Sequence, residues 1–313
     1  MLIAVAVALS AVAPSNAGQS QMAALLGSPD ATYLIVHADD MGMCHSENQA
    51  TFNAMERGLV TCGSVMMPCP WVMEVVQFAK SHPDVDLGVH LTLNSEWSAF
   101  RWRPLSPPDK VPGLIDPEGY MWRSVEDVVK HATPAEVEAE CRAQIQRAID
   151  LGLRPTHIDT HMGAVVATPE FAQVYLKLGR EFRLPVMLPK VMLEDGKDTT
   201  PSVARPLLKQ MEASGVPLLD ALAGTNVSAS SDGRRAAYAK VIEGLPRGAS
   251  QIIVHLGLDD DELKAITSFA RTRYWDYLAF THPETRRIIQ DRGIRLIGWR
   301  PIMQALRSKA GEG

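Results

Sequence analysis

From Thr32 onward, short runs of apolar and β-branched residues alternate with longer segments whose apolar positions recur at helical spacing. Runs at 33–37, 60–66, 87–93, 156–160, 185–188, 216–219, 251–256 and 294–299 predict strands. Several helix starts between them are legible. Ser46 with Gln49 predicts a capping box before a helix over 49–57, closed by Gly58. Thr133, Pro134 and Glu136 supply an N-cap, a first-turn proline and an acid for a helix reaching Leu151, and Thr168-Pro169-Glu170 repeats the arrangement.

Strand then helix, repeated about eight times with mostly short connections, predicts a parallel sheet in an α/β fold. The count favours a closed (β/α) barrel, regular or distorted, with seven to eight strands in one domain over 32–309. His-Ala-Asp-Asp-Met-Gly follows the first strand where a dinucleotide fold would carry a glycine-rich turn, so an open Rossmann sheet loses its main support. The segment 94–132 breaks the rhythm; a connection of that length is usually a lid or a binding loop.

The 313 residues are enough for a sizeable core, and 46% hydrophobic with 21% charged residues excludes wholesale disorder. A net charge of −5 supplies no basic field for nucleic acid or an anionic membrane surface. Cys44, Cys62, Cys69 and Cys141 are too scattered for a zinc ribbon and too few for a disulfide scaffold. They are expected mostly as buried thiols, with a Cys62–Cys69 bridge left open for an exported protein. An apolar run from Leu2 to Ala13, then Pro14 and Ser15-Asn16-Ala17, predicts a signal peptide over 1–17, a linker over 18–31, and a periplasmic or secreted protein. The first Lys or Arg is Arg57, so a charged leader start is missing, and without cleavage the protein would be cytoplasmic. The run is too short to span a bilayer, and no later stretch is long enough. Homo-oligomer formation is left open.

Four sites carry candidate chemistry. Two adjacent carboxylates, Asp39 and Asp40, stand where a buried strand emerges, a costly placement without a cation or donors. Alternation along the strand directs them to opposite faces, hence to different tasks. His90 lies within Gly88-Val89-His90-Leu91-Thr92-Leu93, and His255 within Ile252-Ile253-Val254-His255-Leu256-Gly257. In Pro155-Thr156-His157-Ile158-Asp159-Thr160-His161 the intervening residues favour a strand, placing His157, Asp159 and His161 on one face. Each site ends a predicted strand, where barrel enzymes assemble their active sites. One carboxylate and two imidazoles with open positions describe a catalytic divalent-metal centre. Such mixed donors suit zinc, manganese, cobalt or iron(II), and magnesium is not excluded.

These motifs, HADDMG, GVHLTL, PTHIDTH and IIVHLG, in this order and from Tyr33 to the C-terminal GIRLIGWRPI, resemble the YdjC-like (ChbG/HpnK) carbohydrate deacetylases. The resemblance implies Asp40, His90 and His161 as metal ligands (Zn2+ or Mg2+, with Mn2+ and Co2+ as alternatives), Asp39 as general base and His255 as general acid. It leaves His37, His157 and Asp159 to support them. It also implies release of acetate from an N-acetylated sugar or oligosaccharide. Family members commonly continue the third motif with further histidines and follow the last histidine with Pro-Gly; here Met162-Gly163-Ala164 and Leu256-Gly257 stand instead. Trp97, Trp102 and Trp122 in the long loop offer flat faces suited to a pyranose ring, or simply pack the loop. Two other functions are weighed: a barrel metal hydrolase acting on phosphoesters or non-sugar amides, with Arg101 and Arg103 supplying charge, and a non-catalytic secreted carbohydrate-binding protein.

Overall fold

The structure is a computed structural model that describes residues 20–202, 204–227 and 229–309; the predicted signal peptide lies outside them. Within the expected linker, a short helix α1 (Gln21–Leu25), capped by Ser20, buries Met22 and Ala23 against the domain. Then come β1 (Thr32–Met41), α2 (His45–Glu56), β2 (Cys62–Val65), α3 (Val72–Ser81) and β3 (Leu87–Leu91). The long connection carries α4 (Val125–His131), and α5 (Pro134–Asp150), β4 (Ile158–Thr160) and α6 (Pro169–Phe182) follow. A small hairpin, β5 (Met192–Glu194) and β6 (Lys197–Asp198), leads to α7 (Arg205–Ala213), β7 (Ala221–Gly224), α8 (Ser231–Glu243) and β8 (Gly248–Val254). The chain ends with α9 (Asp261–Ile266), α10 (Ala270–Thr281), α11 (Pro283–Asp291), β9 (Arg295–Leu296) and α12 (Trp299–Lys309).

The sheet runs β4-β3-β2-β1-β8-β7-β5-β6, with β9 paired to β1; all pairs are parallel except the β5–β6 hairpin. Central β1 is buried along nearly its whole length, as expected where helices cover both faces of a parallel sheet. The predicted closed barrel is corrected here: the ladder does not close. Among the described residues, only single bridges, Ile158–Val186 and Pro189–Leu219, cross between β4 and β7. The expected strand over 185–188 begins at Pro185 and is followed by Pro189, neither of which has an N–H to give a ladder.

Helix starts divide in an instructive way. Thr133 and Glu136 form the predicted capping box of α5, and Thr168 caps α6. The predicted Ser46 box is absent: α2 begins earlier, with Cys44 at its N-cap and no side-chain cap. Glu262 caps it instead from 216 residues away, accepting from the Ser46 N–H at 2.7 Å, while the Ser46 hydroxyl accepts from Leu258 N–H. All four cysteines are buried free thiols. No described helix is long and apolar enough to cross a membrane.

Candidate active site

β1, β3, β4 and β8 run parallel, with β2 between β3 and β1, so their C-terminal ends bring the four candidate sites to the same end of the sheet. Asp39 and Asp40 do not point to opposite faces as strand alternation predicts. Asp40 has φ of 68°, a left-handed conformation, and the β1–β2 register shifts between Ala38 and Met41. This irregularity turns both carboxylates toward His90: its Nε2 lies 3.7 Å from Asp39 Oδ2 and 3.5 Å from Asp40 Oδ1. Two acids that a regular strand would separate thus share one site.

Asp40 Oδ1, His90 Nε2 and His161 Nδ1 form a triangle with sides of 3.5, 3.3 and 3.3 Å. Tetrahedral metal bonds of about 2.0–2.1 Å set donor separations of about 3.3–3.4 Å, so the three atoms match one face of a coordination tetrahedron. Asp40 Oδ1 is buried without a hydrogen-bond partner, which the donor set explains if a cation is its partner. Asp159, on β4, accepts from His90 Nδ1 at 2.9 Å and from the Ser64 hydroxyl at 2.9 Å, fixing the ring so that Nε2 faces the triangle. His255, with its side chain 44% exposed, places Nε2 4.0 Å from Asp39 Oδ2.

A match to the model of the family described as YdjC-like protein spans residues 33–291. The chain belongs to the YdjC-like family. A carbohydrate deacetylase of Thermus thermophilus is 35% identical over 273 residues, covering 87% of this chain and 94% of that protein. One from Thermoanaerobacter pseudethanolicus is 26% identical over 268 residues, covering 85% and 98%. Among solved structures, a protein of Enterococcus faecalis V583 described as a candidate cellobiose-phosphate cleavage protein superimposes with a TM-score of 0.73 at 25% identity, covering 87% of this chain and 99% of that one.

In this YdjC-like protein, buried groups of both signs converge on the triangle. Burial would raise the Asp40 carboxyl, but Arg273, with His161 and His90, holds it well below the usual carboxylate range. Burial would lower His161, yet Glu96 and Asp40 push it up to about 9. His90 is likewise opposed by burial and held well above its ordinary value by Asp159 and Asp39. A divalent cation held by these residues would bind in competition with those protons.

Sequence reasoning missed three contributors. Arg273 reaches in from α10, Nη2 2.5 Å from Asp40 Oδ2, and its guanidinium lies 5.7 Å from the Trp97 ring centre. Glu96 accepts from His161 Nε2 at 3.0 Å. Ser64 helps to seat Asp159. Arg273 sits in an ordinary helical pattern and Glu96 in an irregular loop, so neither carries a local signal. The loop tryptophans divide: Trp97 faces Arg273, and Trp102 is buried edge-on to His161, ring centres 6.2 Å apart. Trp122 instead stacks on His131 and donates to Gly113 C=O, which packs the loop.

Proposed function

We propose that this protein is a metal-dependent hydrolase that removes the N-acetyl group from an amino sugar or its oligomers. The 3.3–3.5 Å triangle of Asp40, His90 and His161, flanked by Asp39 and His255, carries the reading. The names of the curated relatives support the sugar substrate. Asp40, His90 and His161 would hold a divalent cation; the two imidazoles favour zinc, manganese or cobalt over magnesium. When bound, such an ion would polarise the acyl carbonyl and lower the pKa of water to about 7.

The chain's own groups supply the proton transfers. Asp39 presents Oδ2 to the site and accepts a proton from the attacking water. His255, across the same space, donates a proton to the departing nitrogen, because an amine anion does not leave near neutral pH. Acetate and a free amino sugar result. Between turnovers Asp39 gives up the proton it took, and the exposed edge of His255 lets solvent restore the proton it donated.

Arg101 and Arg103, which would serve a phosphoester substrate, are otherwise engaged. Arg101 pairs with Asp116 and Glu118, and both guanidinium groups lie over Tyr120. The barrel architecture belongs to this proposal only as a relationship: the parallel strands follow barrel order, with the gap between β4 and β7 left open. The apolar residues 2–13 support export to the periplasm or beyond, checked by N-terminal sequencing of the mature protein. The deciding experiment compares acetate release from N-acetylglucosamine oligomers with phosphate release from generic esters, using zinc-loaded and chelator-treated protein. Acetate release by the loaded protein alone supports the reading; phosphate release alone overturns it.

A further inference from the structure

Behind the site, a line of hydrogen bonds leads away from Asp39 into the interior. Asp39 Oδ1 is 2.7 Å from His37 Nδ1, and His37 Nε2 is 2.7 Å from His157 Nε2. His157 Nδ1 is 3.0 Å from the Thr156 hydroxyl, which contacts Asp86 Oδ1 in turn. The Arg300 backbone N–H donates to the other Asp86 oxygen at 2.6 Å. His37, Thr156 and His157 are wholly buried, and Asp86 is 8% exposed.

The slot for this line is built into the fold. The His157 ring lies against Trp299, ring centres 5.0 Å apart and planes 18° from parallel. Gly88 also stands against the ring: a Cβ there would come within 2.5 Å of its atoms. His37, His157 and Asp159 also offer three potential ligand atoms. At 2.7 Å, however, the two imidazole nitrogens share a proton, leaving no room for an ion between them.

Donor and acceptor accounting gives the line a direction. An ionised Asp39 only accepts, so His37 Nδ1 carries a proton. The contact between the two Nε2 atoms holds one proton. Placed on His157, it leaves both rings neutral; placed on His37, it makes that ring a cation in a dry interior, a costly arrangement. With His157 protonated at Nε2, its Nδ1 accepts from the Thr156 hydroxyl. Burial, the largest cause, holds His157 well below its ordinary range, in keeping with a neutral ring.

We propose that His37 and His157 are positioning residues for Asp39: two neutral imidazoles in tandem, the hydrogen bonds from His157 to His37 and from His37 to Asp39 both pointing toward the carboxylate, hold Oδ1 and leave Oδ2 facing the site. The proposal rests on Asp39 being the base, and two measurements separate its failure from a failure of that reading. In 15N-histidine-labelled wild-type protein at pH 7, nitrogen NMR should show His37 protonated at Nδ1 alone and His157 at Nε2 alone, with a coupling across their shared proton. A doubly protonated His37, or protons on the opposite nitrogens, overturns the proposal whatever the protein hydrolyses. In the zinc-loaded enzyme, His157→Phe fills the slot without a donor and should lower kcat for acetate release about 10–100-fold. KM and zinc content should hold. His157→Gln returns a donor at the Nε2 position and should restore most of the loss. Equal losses in both variants, or none in His157→Phe, overturn the proposal; absence of acetate release from wild type indicts the reading of Asp39 instead.

Discussion

Arg273 Nη2 lies 2.5 Å from Asp40 Oδ2, although 233 residues separate the two in sequence. The pair is buried: side-chain exposures are 9% and 1%. One oxygen of Asp40 is thereby committed to the guanidinium and the other left for a ligand. Arg273→Met should destabilise the metal-free protein by about 3–5 kcal/mol, because a buried carboxylate loses its main partner. Zinc, which binds the folded state, should recover part of that loss. Thermal unfolding of variant and wild type, with and without zinc, checks both statements.

Asp39→Asn should lower kcat by at least about 10²-fold while leaving zinc content unchanged. Asp40→Asn, next to it, should lose zinc. Elemental analysis beside acetate release separates the two. Full activity in Asp39→Asn contradicts the assignment of the base.

Metal affinity should depend on pH in a defined sense. In the metal-free protein His161 is held up to about 9, chiefly by Glu96 and Asp40 against burial, so below pH 9 its ring is protonated. A cation needs a bare Nδ1 and must expel that proton. Affinity should therefore fall by about tenfold per pH unit per displaced proton as pH drops below 9, and binding should release protons. Calorimetry of zinc binding in buffers of different ionisation enthalpy counts them; none released at pH 7 would contradict the charge arrangement. Glu96→Gln, which removes the largest cause of the upward shift, should weaken the pH dependence.

Far from the site, Thr133→Ala should cost about 1 kcal/mol by removing the cap of α5, with kcat unaltered. Chemical denaturation measures the first and acetate release the second. A fall in kcat would mean that α5 does more than support the sheet.

The legibility of this molecule follows the range of its interactions. The Thr133 box lies within one helical turn, and the sequence displays it. The start of α2 depends on Glu262, across the fold, and the Ser46 signal therefore misleads. The His and Asp motifs are visible because strands are short and ordered, and their ends meet. Arg273 and Glu96 reach the same place from a helix and a loop whose local pattern is ordinary. Closure of the sheet was misjudged for a reason of hydrogen bonding: Pro185 and Pro189 bracket a segment that otherwise has strand composition. The convergence of Asp39 and Asp40 was hidden by a single backbone angle.

That angle also restricts which mutations can be interpreted. A φ of 68° is readily adopted by glycine, asparagine and aspartate, and poorly by β-branched or bulky residues. A saturation library at position 40 should split into two nested sets: a few side chains that leave the peptide path undisturbed, and within them the one that keeps an anion there. Loss of function by valine or isoleucine at that position would report distorted geometry, whereas asparagine isolates charge.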